Sequence, residues 1–309
     1  IFADHPEEMY AVRKDSPLIV GHTKDGSIIA SDVPAVLKYT RDVVFIQNEE
    51  IVKLTEDKLE FYNIDEEVIE KETTHIDWDV NAAEKGGYEH FMLKEMYEQP
   101  KAILDTFSPR IKGNEVVIDE LGMSDDEIRA VKKIMIVACG SAHHAGVTGK
   151  YIFEGLTRIP VEVDTASEFR YRDPIIEDGT LLIVISQSGE TADSLAAIRE
   201  AHAKGGKVLG IVNVVGSSIA READNVMYTW AGPEIAVAST KAYTTQLICM
   251  YLIGLYMGST KGTIEKDYYD KVLGELKLLP DKVEALLGQE DAIAALAKKY
   301  YSKEQVFFI

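Results

Sequence analysis

The sequence predicts an α/β protein in which a doubly wound parallel sheet of flavodoxin-like type follows a β-rich segment. Three observations carry this. From Ile134 onward, short apolar runs alternate with helical patterns, the signature of parallel strands joined by helices. Residues 1–75 instead show closely spaced strand-like runs broken by turn signals. The run Thr180 to Asp193 (TLLIVISQSGETAD) passes from a continuous apolar, largely β-branched stretch into a hydroxyl-rich turn and then a helix. A strand that is apolar at every position is one covered on both faces.

Within residues 1–75 the strand-like runs are Met9 to Arg13, Leu18 to Gly21, Ser27 to Ala30, Val43 to Ile46, Ile51 to Leu54 and Leu59 to Asn63. Lys24-Asp25-Gly26 has the Asp-Gly chemistry of a hairpin turn. A short helix is expected over Val33 to Lys38, capped by Ser31 or Asp32, with Pro34 tolerated in its first turn. Ile1-Phe-Ala-Asp4 reads as the end of a strand entering a turn, so the chain is expected to begin inside a domain. Residues 76–124 read as a helical linker: the pattern is helical from Ile76 to Asn114, with Phe91, Leu93, Met96 and Tyr97 near helical spacing before Pro100 breaks the run.

Residues 125–264 hold the parallel sheet. Strands are expected at Ile134 to Ala138, Pro160 to Asp164, Leu181 to Ile185, Val208 to Val212 and Asn225 to Thr229. Helices are expected from Ser141, at Ala166 to Phe169, at Ala192 to Ala203, near Ser218 and from Ser239. Residues 265–309 form a charged helical segment to Tyr300, with Leu276, Leu279, Val283, Leu286 and Leu287 as its apolar face. Gln305 to Ile309 is read as the first strand of a further αβ unit.

Composition narrows the function. The chain has 309 residues, 46% of them hydrophobic, and a formal net charge of -19, so nucleic-acid and membrane-surface binding, which need a basic face, are disfavoured. Leu247 to Met257 is too short to span a bilayer. Two cysteines, Cys139 and Cys249, make no disulfide framework and suit a reducing, cytoplasmic compartment.

In doubly wound sheets ligands sit at the carboxyl ends of the strands. Three such ends carry small, polar turns: Cys139-Gly-Ser141, Ser186-Gln-Ser-Gly-Glu-Thr191 and Glu234-Ile-Ala-Val-Ala-Ser-Thr-Lys241. A helix start offers unpaired N–H groups and a partial positive charge, so it holds a phosphate without needing Lys or Arg. Ser186, Ser188 and Thr191 place three hydroxyls around one helix start, more than a cap requires. Gly140 and Ser141 open a neighbouring helix that can share the anion. Lys241 is either a second contact for an anionic sugar or a solvated lysine. Glu190 and Glu234 are candidates to orient sugar hydroxyls, although a carboxylate at a helix start is also stabilised by the dipole alone. Cys139 has no local base and reads as a small strand-end residue. His143 and His144 are adjacent and point about 100° apart on a helix, so they do not share a metal. There is no HExxH, CxxC, GxGxxG or Walker loop, and no metal or cofactor is expected.

Four ordered motifs, Ala138-Cys-Gly-Ser-Ala-His-His-Ala-Gly146, Glu168-Phe-Arg-Tyr-Arg172, Ser186 to Asp193 and Glu234 to Gln246, closely resemble the first sugar-isomerase (SIS) domain of the glutamine:fructose-6-phosphate amidotransferases. Upstream, Ser16-Pro-Leu-Ile-Val-Gly21, Ile29-Ala-Ser-Asp32 and Lys94-Glu-Met-Tyr-Glu-Gln-Pro100 resemble the end of that family's glutaminase (Ntn hydrolase) domain and the entry to its isomerase region. The resemblance covers essentially all 309 residues. It implies a part of the enzyme that makes glucosamine 6-phosphate and glutamate from fructose 6-phosphate and glutamine, with ammonia passed between domains, and a homodimer. It implies Ser141, Ser186, Gln187, Ser188 and Thr191 as phosphate ligands, and Cys139, Gly140, Glu234, Val237 and Ser239 as the lining of the sugar. Ser141 stands where the family commonly has Thr, and His143 where it commonly has Tyr. The family's glutaminase cysteine, isomerase base, ring-opening histidine and reactive lysine have no counterpart here, so no catalytic residue is expected within the chain. Two other classes remain open: a sugar-phosphate sensor, for which no basic helix-turn-helix is visible, and a lone isomerase or deaminase, which would lack the β-rich segment.

Overall fold

The structure is a computed structural model that describes residues 3–14, 17–23, 26–31, 33–56, 58–76 and 85–307. The expected Lys24-Asp25 turn, the Asp32 cap, the side chain of Pro34, Ile1-Phe2 and the end of the 305–309 strand lie outside the described residues.

The first seven strands are β1 (Met9–Val12), β2 (Ile19–Thr23), β3 (Gly26–Ala30), β4 (Asp42–Phe45), β5 (Ile51–Leu54), β6 (Leu59–Tyr62) and β7 (Thr74–His75), with helix α1 (Val33–Val36) between β3 and β4. They form two antiparallel sheets of order β1-β5-β6 and β3-β2-β4-β7. Two small cores follow from the alternation of side chains along the strands. Val20, Val44, Ile46, Val52 and Leu54 make one, while Ile19, Val33, Val36, Leu37 and Val43 make the other. That second core also takes in Val214 from the parallel domain.

The linker begins with α2 (Phe91–Tyr97) and α3 (Gln99–Phe107). Pro100 both ends the first run and sits in the first turn of the second helix, where its missing N–H costs nothing. The helical pattern expected to reach Asn114 stops earlier. A two-stranded hairpin of β8 (Ile111–Lys112) and β9 (Glu115–Val116) turns at Gly113, which has φ +66°.

Next come α4 (Asp125–Ala130), β10 (Lys133–Ala138), α5 (Gly140–Thr157), β11 (Val161–Thr165), α6 (Ala166–Phe169), β12 (Thr180–Ser186), α7 (Ala192–Ala203), β13 (Lys207–Val212), α8 (Ser218–Glu222), β14 (Asn225–Tyr228) and α9 (Lys241–Lys261). The five strands form a parallel sheet of order β11-β10-β12-β13-β14. The chain moves outward from β10 to one side and then returns across it, so the topological switch lies between β10 and β12, paired in register from Lys133↔Thr180 to Ala138↔Ile185. Alternate residues feed opposite faces. Ile134, Ile136, Ile183 and Ile185 join α5 and α9, whereas Met135, Val137, Leu182 and Val184 join α6, α7 and α8. This is why the strands read as unbroken apolar runs. Helix α9 is apolar on nearly all sides because it lies inside the core, packed on α5 and α3. No helix among the described residues is long and apolar enough to cross a membrane.

Residues 265–309 contain α10 (Lys266–Lys277), α11 (Leu279–Leu287) and α12 (Glu290–Tyr300). Of the expected apolar face, Leu276 is buried, Leu279 and Val283 pack against the main core, and Leu286 is exposed. Residues 305–307 are not in a strand.

Candidate sugar-phosphate site

Cys139, Gly140 and Ser141 follow β10 and the residues from Ser186 to Thr191 end and follow β12, on either side of the switch, whereas Glu234, Val237 and Ser239 follow β14 at the far edge of the sheet. Cys139 is the N-cap of α5, and Gly140 and Ser141, both exposed, are its first residues. Gly140 has φ +59°, and a Cβ there would meet nothing within 4 Å. One strand over, Ser186 ends β12 and is 4% exposed, while Gln187, Ser188 and Thr191 are half-buried.

The turn between β12 and α7 is self-organised. The Ser186 hydroxyl accepts the Gly189 N–H at 3.0 Å and shares a hydrogen bond with the Thr191 hydroxyl at 3.0 Å. The Ser188 hydroxyl accepts the Glu190 N–H at 3.2 Å. Gly189 takes φ +66°, and a Cβ on it would lie 2.0 Å from the Ser217 hydroxyl oxygen. The glycine is therefore required twice, by its left-handed backbone and by the close approach of the segment after β13. Its carbonyl accepts the Ile219 N–H, and the Gln187 carbonyl accepts the Asn213 N–H.

The helix starts along this edge divide into two kinds. Helix α8 is closed by Glu190, whose Oε1 accepts the Ser218 N–H at 2.9 Å. Helix α9 is closed by Glu234, whose Oε1 accepts the N–H groups of Thr240 at 2.9 Å and Ala242 at 3.1 Å, while Oε2 accepts the Ser239 hydroxyl at 2.9 Å. Helices α5 and α7 flank the switch, and at neither does the N-cap residue, Cys139 or Thr191, make a side-chain cap. The one acid in the first turn of α7, Asp193, is paired with Arg170 at 2.8 Å, which offsets its repulsion for an anion.

The other acidic candidate, Glu190, is engaged with the start of α8. Burial raises its carboxyl above the ordinary range, against the opposing pull of Ser218, Arg221 and Arg13. Neither reading of Lys241 survives. It is 2% exposed and its Nζ donates to Glu98 at 2.6 Å, so it is neither solvated nor free for a sugar. Val237 is fully exposed and Ser239 half-buried. Cys249 is buried in the core, and burial pushes its thiol up to about 12. His143 is half-buried with Nδ1 3.3 Å from the Asp164 carbonyl, and His144 is exposed.

Sequence reasoning missed Asn213, which follows β13. Its side-chain oxygen accepts from the Thr229 hydroxyl and the Ala231 N–H, and its Nδ2 donates to the Gly232 carbonyl at 2.6 Å. It thereby ties the serine turn to the loop that holds Glu234. A lone Asn just past an apolar strand was the available signal. A cavity of about 280 Å³ lies where these loops meet the β-rich segment, bordered by Phe45, Ser31, Gln187, Ser188, Glu190 and Glu234.

A parallel sheet with its switch between β10 and β12 and a hydroxyl-rich turn at the carboxyl end of β12 are the architecture of a SIS domain, and the SIS domain family model matches residues 127–255. The chain is homologous along its whole length to one half of the glutamine–fructose-6-phosphate aminotransferases (isomerizing). It is 55% identical over 310 residues to that of Clostridium acetobutylicum, with 100% of this chain and 51% of the relative covered. With that of Clostridium tetani the identity is 52%, again over 100% of this chain and 51% of the relative. The chain thus spans about half the length of the curated relatives it matches. Among solved structures, the C-terminal domain of glucosamine-fructose-6-phosphate aminotransferase from Francisella tularensis superposes with a TM-score of 0.68 at 39% identity, covering 72% of this chain and 62% of that one.

Proposed function

We propose that this chain is the sugar-phosphate-holding half of a glutamine:fructose-6-phosphate amidotransferase, and that its own ligands are fructose 6-phosphate and glucosamine 6-phosphate. The observation that carries the reading is the uncapped start of α7 beside Ser186, Ser188 and Thr191 at the topological switch. Ser188, Thr191, Gln187 and Ser141 hold the phosphate with the helix N–H groups, and Ser186 shapes the turn from beneath. Cys139, Gly140, Val237 and Ser239 face the sugar, with Glu234 fixing the loop that carries the last two. In this division of labour the chain binds without turnover, because the groups that the family resemblance assigns to proton transfer and glutamine hydrolysis have no match in its sequence. Ammonia derived from glutamine and a second copy of the chain belong to the assembled enzyme, in the cytoplasm.

Thermal unfolding with fructose 6-phosphate and with fructose tests the reading. Binding to the native state alone stabilises by RT ln(1 + [L]/Kd), about 2.7 kcal/mol at a hundredfold excess over Kd. The phosphorylated sugar should raise Tm and fructose should not. Equal shifts with both would remove the phosphate site.

A further inference from the structure

The segment Lys94-Glu-Met-Tyr-Glu-Gln-Pro100 lies outside the SIS domain match, yet it is bonded to the loop expected to face the sugar. Glu95, on α2, is 1% exposed. Its Oε1 accepts the backbone N–H groups of Ile235 at 2.6 Å and Ala236 at 3.1 Å, across about 140 residues of chain. Its Oε2 is buried with no hydrogen-bond partner among the described residues, and burial raises its carboxyl above the ordinary range. Glu98 accepts from Lys241 at 2.6 Å and pairs with Lys94 at 3.2 Å. Gln99 accepts the Thr244 hydroxyl at 2.7 Å through Oε1. Three polar side chains from one short stretch thus grip the loop and the first turn of α9 at successive points. A carboxylate is an unusual residue to bury on a linker helix, since desolvation opposes it. The two amides it satisfies are on the segment immediately before Val237.

Building on the site proposed above, we infer that Glu95 is a positioning residue for the sugar-facing loop, residues 232–240, and that the 94–100 segment sets the preference for a phosphosugar over bare phosphate. The phosphate end is held by α7 and the serine turn, which Glu95 does not touch. The sugar end is held by a loop whose backbone Glu95 fixes. Loosening Glu95 therefore weakens sugar recognition while leaving phosphate binding in place. A role in stability alone would weaken both or neither.

The test is calorimetric titration of the full 309-residue chain with fructose 6-phosphate and with inorganic phosphate. Glu95→Gln keeps an oxygen for both amides and should keep the native ratio of affinities. Glu95→Asp keeps the charge but withdraws it by one methylene, and Glu95→Leu removes the acceptor. In both, the preference for the phosphosugar should fall about tenfold with phosphate affinity unchanged, the scale of one hydrogen bond. If the Leu variant does not fold, the Asp variant decides. Native ratios in Asp and Leu, or equal loss of both ligands, overturn this inference alone. A native chain that binds neither ligand overturns the site reading as well.

Discussion

Helices α7 and α9 both begin at the carboxyl edge of one sheet, after turns rich in small and hydroxyl residues, yet their starts are built for opposite ends. At α9 a buried carboxylate, Glu234, accepts two of the orphan N–H groups and a neighbouring hydroxyl. At α7 the available hydroxyls bond within the turn before the helix, and the N-cap residue, Thr191, makes no side-chain cap. The positive end of α9 is thereby neutralised from within the chain, whereas in the proposed reading that of α7 is left for an outside anion. On that reading hydroxyl content alone does not make an anion site, and what decides is whether an internal acid has already taken the donors.

The comparison is broken most severely by Gly189→Ala. The substitution forces a left-handed backbone on a residue with a Cβ and drives that atom to 2.0 Å from Ser217. Strain and overpacking together should cost about 2–5 kcal/mol, read by urea unfolding, and the Tm shift with fructose 6-phosphate should vanish. Gly140→Ala serves as the control. It pays a similar backbone penalty in open space, so its loss should be roughly 1–2 kcal/mol. Equal losses at the two glycines would show that crowding against Ser217 contributes nothing.

Next in size is Glu234→Ala, which strips α9 of its internal anion and leaves two backbone donors and the Ser239 hydroxyl without their acceptor. A loss of about 2–3 kcal/mol is expected, again by urea unfolding. The Tm shift caused by fructose 6-phosphate should shrink but persist, because the sugar-facing loop is loosened while the α7 start is untouched. Complete loss of that shift with the fold intact would show Glu234 to be a direct ligand of the sugar rather than only the keeper of its loop.

The contrast between the two helix starts was only half legible in the sequence. The central strands of the parallel sheet, and the turns that end β10 and β12, announce themselves because both faces of β10, β12 and β13 are buried and the serine turn follows β12 directly. The closure of α9 does not, because its capping acid stands six residues before Thr240, beyond the reach of a local capping pattern. Lys241 read as free because its partner, Glu98, is separated from it by most of the domain. Glu95 was invisible for the same reason: a contact between distant segments leaves no period in either one. The two-residue strands β7, β8 and β9 are too short to show alternation, and so the 111–116 hairpin read as helix. In the β-rich segment the six longer strands were legible because β2 and β4 send successive residues into two small cores, β5 buries Val52 and Leu54 on one face, and turns separate the rest.

Ser188→Ala sharpens the α7 side of the comparison. The hydroxyl accepts the Glu190 N–H at 3.2 Å, and in the proposed complex it also donates to the phosphate. Removing a hydrogen bond to a charged group costs roughly 1.5–3 kcal/mol, so affinity for fructose 6-phosphate should fall about tenfold or more. Stability without ligand should change little. A drop in stability with unchanged affinity would make Ser188 only a turn residue.

The smallest effect expected is that of pH on the acid that closes α8. Glu190 is faced by Arg13 and Arg221, and both favour its charge, but burial is the larger influence and raises its carboxyl. A carboxyl that is raised in the fold binds its proton more readily folded than unfolded. Its contribution to stability is therefore greatest at pH values below the ordinary carboxyl range. That contribution falls as pH climbs toward the raised value, and is constant and unfavourable above it. Glu190→Gln keeps an oxygen to accept the Ser218 N–H and cannot ionise, so it should lose that fall. Urea midpoints measured from acid to neutral pH should show the variant gaining on the native chain as pH rises, then running parallel to it. A variant that instead loses ground as pH rises would mean that the two arginines outweigh burial, and that Glu190 holds α8 as an ion pair.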